Sequence, residues 1–425
     1  MEHKKNSGDS ESLDEMKILI DEEDLQQNFK YVAMDMDDDA CIYLLTRLRN
    51  SFEKIKGHGI IPATSAKAEI KKIDKLLERS WKARGTYPSL GNVLDVIANM
   101  GKGKPGIGNE IVSIVEKNNQ GKVNLDVIVK LLNKKNIPKY LDNDKFRATI
   151  NEISVNIKGE NLKLLQKLSL FSLSQTQIKN IIRNNEKSFR KSIDVNEIVE
   201  NPYLLCENYK GPDYINRDEL EIPDKKIGTF TIDIGMFPDP NYLGRNKAVQ
   251  NLDVSHPYRL RAVISDHLKS LENDGNCYAV LDDILKMLKD YPLFYRPEDE
   301  LLIDKNKLAS VTYINHFKER LEVIDKKFFY LTEIKKAEDF IKTTIQKLLE
   351  RDDHKTTVDD LDKFLKGEAD TLSKTIKGFE KNQFIDERTK LIEGCIKKSF
   401  FVITGKPGSG KTKALKKVVD EIKKA

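Results

Sequence analysis

Long apolar runs are missing from this chain, and cysteine is scarce. No stretch approaches the roughly eighteen uninterrupted apolar residues of a bilayer span, so an integral membrane protein is not expected. The opening MEHKKNSGDSESLDEMK lacks an apolar core of the kind that marks a secretory signal. Only four cysteines occur (Cys41, Cys206, Cys277 and Cys395), far apart and without a CxxC pair. That spacing argues against a disulfide frame or a zinc site and makes reduced thiols in a cytoplasm the default. A fixed-period repeat is also lacking. Net charge is small, +5 from 73 basic and 68 acidic residues, which permits nucleic-acid binding without arguing for it.

What is present describes a soluble, highly charged protein, 39% hydrophobic and 33% charged, and 425 residues allow two to four domains. Charge is unevenly placed. The first forty residues are acidic, with Asp35, Asp37, Asp38 and Asp39 in a run that reads as a solvated cap rather than a metal site. Residues 395–425 instead carry nine lysines against Asp420 and Glu421, so anionic ligands favour that end.

Apolar spacing of three and four residues predicts helices over 38–80, from Ser89, and over 123–135, 144–157, 160–169 and 174–191. Trp81 and Tyr87, at a helix end, are expected to pack. A Gly-, Pro- and Asp-rich stretch over 211–257 reads as a loop-rich connector with a short strand at 228–234. Helices follow at 257–273, 277–290, 307–325 and 333–351, with short apolar runs near 295–332 suggesting a small β-containing piece. His256 and His267 lack partners at ligand spacing and suit surface or helix-end roles. Near the C-terminal end, 400–404 reads as an apolar strand and 411–424 as a helix.

Between that strand and helix lies G-x-x-x-x-G-K-T: Gly405, Lys406, Pro407, Gly408, Ser409, Gly410, Lys411, Thr412. The spacing has a chemical reason. Glycines let successive backbone N–H groups aim at phosphate oxygens, and the helix that follows adds its positive N-terminal dipole. Lys411 can reach the β- and γ-phosphates of ATP, and the Thr412 hydroxyl can ligate Mg²⁺. This is a Walker A P-loop in its strand–loop–helix context. ATP turnover also needs a carboxylate-ended second strand and a sensor, and thirteen residues follow Thr412. The sequence is therefore expected to be the opening of a motor rather than a complete ATPase.

A second glycine-rich turn, GKGKPGIG at 101–108, is similar to the hairpin of helix–hairpin–helix motifs, in which backbone amides grip a DNA phosphate. Gly106 and Gly108 would supply amides and Lys102 and Lys104 charge. An ordinary glycine turn between helices is the other reading.

Several segments resemble the N-terminal half of RecD-like DNA helicases of superfamily 1. IVENPYLL at 198–205 is similar to that family's Asn-Pro-Tyr-x-Leu segment. HPYRLRAVISDHLKSLENDGNCYA at 256–279 resembles its helix with an arginine near the start and a Gly-His-x-Tyr turn, with Asn276 in place of the histidine. FFYLTEIKKAEDFIKTTIQKLLE at 328–350 is similar to the strand and long helix leading toward the motor, and 387–415 to its opening. The family's adenine-reading glutamine has no counterpart in 385–390 (IDERTK).

Composition and apolar spacing predict a mainly α chain with an acidic tail (1–25), a helical N-terminal domain (26–100), a helical region with a possible helix–hairpin–helix (101–200) and a connector (201–256). The resemblance, which covers roughly 190–425, implies a winged-helix-like α+β module (257–375) and the start of a RecA-like α/β motor (376–425). It further implies the N-terminal part of an ATP-dependent helicase acting on DNA, single-stranded by resemblance, with ATP and Mg²⁺ as cofactors and Lys411 as the catalytic cation. Two rival readings stay open. One is an AAA-type P-loop ATPase with a helical protein-binding region; the other is a non-catalytic helical nucleic-acid-binding adaptor.

Overall fold

The computed structural model describes residues 38–57, 62–99, 106–119, 123–132, 137–157, 160–184, 186–210, 226–243, 252–290, 303–352, 354 and 360–423. The chain is mainly α-helical with three short antiparallel strands, and its contacts divide it into two compact units, Met1–Leu331 and Thr332–Ala425. Lys102, Lys104, Asp35 and Asp37 lie outside the described residues.

Among the described residues the first unit starts with α1 (Asp38–Gly57) and α2 (Ala63–Arg84), an antiparallel pair. On α2 the buried Ala66, Ile70, Ile73, Leu77 and Trp81 recur every three or four residues, which gives a single apolar stripe. Trp81 is 1% exposed and stacks on Tyr242. Arg84, at the end of that stripe, is buried too. Its guanidinium meets Asp39 at 2.5 Å and Leu170 O at 3.0 Å, so the acidic run supplies an internal ion pair rather than only a solvated cap. The pair compensates two charges that would otherwise be costly to bury.

Helices α3 (Leu90–Asn99), α4 (Ile107–Asn118), α5 (Leu125–Leu132), α6 (Asp144–Asn156), α7 (Glu160–Leu168) and α8 (Gln175–Ile182) come next, all but α4 starting where the apolar spacing predicts. Helix α8 ends at Ile182 rather than 191, and a separate 3-10 turn stands at Glu186–Ser188. Local chemistry fixes their starts. Asn143 caps α6, and Ser174 with Gln177 closes a capping box on α8. Ser89 joins two ends of the bundle, giving its hydroxyl to Leu173 O and accepting from Leu173 N. One continuous hydrophobic core runs from Ile42 to Ala262.

Before the expected connector comes α9 (Val195–Glu200). Within 201–256 the described residues form three short helices, α10 (Leu204–Asn208) and α11 (Thr229–Met236), both largely buried, and α12 (Pro240–Leu243), which lies at the surface. The strand expected at 228–234 is helix α11. Thr229, Thr231, Ile232, Asp233, Ile234, Gly235 and Met236 are all buried, so the segment shows no one-sided pattern, and a short apolar run of that kind does not separate strand from helix.

Next comes α13 (Pro257–Asn273), with His256 capping it through Nδ1, which accepts from Tyr258 N, and Pro257 in its first turn. Two arginines of this helix are almost wholly buried. Arg259 forks onto Asp233 (2.9 and 2.7 Å), which also accepts from the Tyr203 hydroxyl at 2.6 Å. Arg261 forks onto Glu207 (2.7 and 3.0 Å) and donates to His316 O and Glu319. Burial pushes the Glu207 carboxyl up, and the facing Arg261 opposes that shift.

After α13 come β1 (Tyr278–Val280), α14 (Leu281–Asp290), α15 (Lys305–Leu308), α16 (Val311–Phe317), β2 (Leu321–Ile324) and β3 (Phe328–Leu331). The sheet order is β1-β3-β2, antiparallel, with Tyr278 opposite Tyr330 and Leu321 opposite Leu331. The helix expected across 307–325 is thus two short helices and a strand. Left-handed Asp325 and Lys326 (φ 52 and 53°) turn β2 back into β3, a tight hairpin that a helix cannot continue through. Ala279, Leu321, Phe329 and Leu331 supply the buried side of the sheet.

The second unit holds α17 (Thr332–Leu349), α18 (Leu361–Thr375), α19 (Lys381–Lys397) and α20 (Lys411–Ile422). Leu361 and Leu365 of α18, Ile392 and Ile396 of α19, and Val418 of α20 form its core. The strand expected at 400–404 is an extended run that pairs with no strand among the described residues, since a strand exists only through the ladder it shares. Among the described residues, no helix is long and apolar enough to cross a membrane.

Candidate phosphate-binding loop

Two helices and one glycine contact hold the 405–412 loop in place. Helix α20 is tied to α18 by a Lys413–Glu368 ion pair of 2.6 Å and by Lys417 over the Phe364 ring at 4.8 Å. The extended run before the loop lies against α19 at Gly394. A Cβ there would come within 2.4 Å of the Phe401 ring, so a larger residue would have to displace that ring. Residues 405–410 are exposed, and Lys411 is half-buried.

Within the loop the backbone turns sharply. Ser409 N donates to Lys406 O (3.2 Å), and Gly408 and Gly410 both take φ 78°, a left-handed conformation that L side chains rarely adopt. Gly410 O then accepts from Ala414 N, the first turn of α20. The side chain of Lys411 folds back over the loop, and its Nζ donates to Gly405 O (2.7 Å) and Lys406 O (3.0 Å). Thr412 is exposed in the first turn of α20. The eight sequence-predicted residues therefore form one continuous turn ending in a helix N-terminus, with an ammonium group at its mouth. Such a turn offers backbone amides, a helix dipole and a cation to an anion.

Sequence reasoning missed Arg388. It projects from α19 onto the same turn, where Nη1 donates to Gly410 O at 3.1 Å and Nη2 donates to Ser409 O. Its guanidinium also lies over the Phe384 ring, 5.3 Å from the centroid and one helical turn earlier. Arg388 falls in the 385–390 stretch that lacks the expected glutamine. The only signal available in the sequence was an arginine four residues after an aromatic on a helix ahead of the motif.

The second glycine turn is placed differently. Gly106 (φ 86°) caps the start of α4, and Gly108 N donates to the Asp95 carboxylate of α3 at 2.7 Å. Asp95 is fully buried and also accepts from Gln175 Nε2 at 2.9 Å. Burial raises its carboxyl above the ordinary range, against the opposing pull of the Gly108 and Gly106 amides. A Cβ on Gly108 would stand 2.3 Å from Gly91 O, so this glycine also sets how closely α3 and α4 pack. The amide expected to grip a phosphate is thus satisfied inside the protein by Asp95, a partner that the hairpin motif does not reveal.

No known protein family and no solved structure matches the chain. It is similar to an uncharacterized protein of Methanocaldococcus jannaschii, 25% identical over 295 residues that make up 66% of this chain and 22% of that protein. The chain therefore spans about a fifth of the length of the curated relative it matches.

Proposed function

We propose that residues 405–412 bind the polyphosphate of a nucleotide, ATP with Mg²⁺, as a Walker A P-loop, and that the chain belongs to an ATP-dependent, RecD-like DNA helicase. The observation that carries the nucleotide reading is the joint geometry of Gly408, Gly410 and Lys411. Two left-handed glycines turn the backbone into the start of α20, and the lysine ammonium sits on carbonyls of the same loop. On binding, Lys411 exchanges Gly405 O and Lys406 O for phosphate oxygens, the amides of the turn hold the β-phosphate, and Thr412 contributes its hydroxyl to the metal. Electrostatic positioning of this kind is the main task of a protein in phosphoryl transfer.

The helicase part of the reading has separate support. The segment from α13 to β3 runs helix, strand, helices, hairpin, with the last strand at the centre of the sheet, an order that suits a winged-helix-like module able to engage DNA. Tyr203 of the NPYLL segment and Arg259 of the HPYRLR segment, both in stretches that resemble the helicase family, meet on the shared acceptor Asp233. Arg261 pairs with Glu207 two residues beyond NPYLL, so the resembling stretches supply part of what holds that module's first helix. The matched relative is much longer than this chain, and the activity of the whole protein is part of the proposal.

Two measurements test it. Titration of a fluorescent ATP analogue with Mg²⁺ should give saturable binding that Lys411→Ala weakens at least tenfold without altering the far-ultraviolet circular dichroism. Binding of single-stranded DNA should weaken steeply with salt. An unsubstituted chain that shows no affinity for ATP would end the nucleotide reading, and one that ignores DNA at low salt would end the helicase reading.

A further inference from the structure

The Arg388 contacts have a consequence for the direction of the loop amides. In a trans peptide the carbonyl and the N–H of the same plane point in opposite directions. Arg388 holds Ser409 O and Gly410 O on its own side, through Nη2 and Nη1. The N–H groups that share those planes belong to Gly410 and Lys411, and they are turned away from Arg388. Gly410 has left-handed φ and no Cβ, so it adds no side-chain restraint of its own, and its carbonyl is shared between Arg388 and the Ala414 N–H of α20. On the other wall of the loop, Lys411 Nζ holds Gly405 O and Lys406 O in the same manner. Four carbonyl oxygens of the turn are thereby engaged by two cations.

We infer that Arg388 is a positioning residue of the loop, bracing the Ser409 and Gly410 carbonyls from α19 so that the Gly410 and Lys411 amides face a bound polyphosphate. This rests on the nucleotide reading above and deepens it. Lys411 must leave its carbonyls to meet a phosphate, whereas Arg388 keeps its own, so the two cations have different tasks. The planar guanidinium is what permits one side chain to hold two neighbouring carbonyls at once, with the Phe384 ring beneath it. A lysine there would keep the charge and lose the fork.

The test uses the whole chain and a fluorescent ATP analogue with Mg²⁺. Arg388→Ala should bind about tenfold more weakly than the unsubstituted protein, as expected for losing hydrogen bonds from a charged donor, with unchanged circular dichroism. Arg388→Lys should remain as weak as Arg388→Ala. Guanidinium ion at low, non-denaturing concentration should restore binding to Arg388→Ala, whereas ammonium should not. Equal binding by the unsubstituted protein and Arg388→Ala overturns the inference alone, as does full affinity in Arg388→Lys, which would make charge sufficient. Failure of the unsubstituted protein to bind overturns the nucleotide reading and takes this inference with it.

Discussion

Gly408 and Gly410 offer a matched pair of perturbations. Both take φ 78°, so an alanine at either must adopt a left-handed conformation or move the loop. That costs about 1–2 kcal/mol. A free, exposed loop relaxes away from the strain, but the phosphate-bound loop must carry it, so the cost appears as lost affinity, about 5- to 30-fold. The two sites differ in their surroundings. A Cβ at Gly408 meets nothing within 4 Å, whereas one at Gly410 would stand 2.7 Å from Arg388 Nη2. Gly410→Ala must therefore also displace the arginine from its carbonyls, adding about 1 kcal/mol for the hydrogen bonds lost. The expected order in ATP-analogue titration is unsubstituted, then Gly408→Ala, then Gly410→Ala, with the last two separated by about fivefold. In an Arg388→Ala background that separation should vanish, because the obstructing group is gone. Equal losses at both glycines, or a gap that survives removal of Arg388, would refute the reasoning.

Other consequences concern the scaffold. Asp233→Ala leaves the buried Arg259 fork and the Tyr203 hydroxyl without their acceptor and should cost about 3–5 kcal/mol in urea unfolding, while Asp233→Leu with Arg259→Met should recover most of it. A loss below about 1 kcal/mol in the single variant contradicts that account. His256 gives a pH effect of definite sign. Burial and the neighbouring His316 lower its pKa, so its contribution to stability is complete above the ordinary histidine value and is lost as pH falls below about 6.5. Protonation also removes the Nδ1 acceptor that caps α13, so His256→Asn should flatten this part of the pH profile in thermal denaturation followed from pH 8 to pH 5.

Much of the helical architecture was legible because its helices bury one face. The stripe on α2 and the periodic segments behind α6, α7 and α13 are visible in the apolar spacing alone. Reading failed where burial is all-round or where a turn intervenes. Helix α11 is buried on every side and carries no period, and β2 follows α16 after only three residues, Lys318, Glu319 and Arg320, which carry no glycine or proline to mark the break. The glycine-lysine motif was legible as a continuous segment, since its chemistry resides in consecutive backbone groups. Arg388 and Asp95 were not, because their partners, 21 or 22 and 13 residues away, become neighbours only after the helices pack.

Arg259 and Arg261 are two positions apart on α13, which places their side chains about 200° apart around its axis. One is keyed to Asp233 on one flank, the other to Glu207 on the opposite flank. Any roll of the helix must break a fork on one side or the other, so α13 behaves as a shaft pinned against rotation. The strand that leaves its C-terminal end inherits that fixed angle, and the hairpin pairing with it is aimed in a single direction.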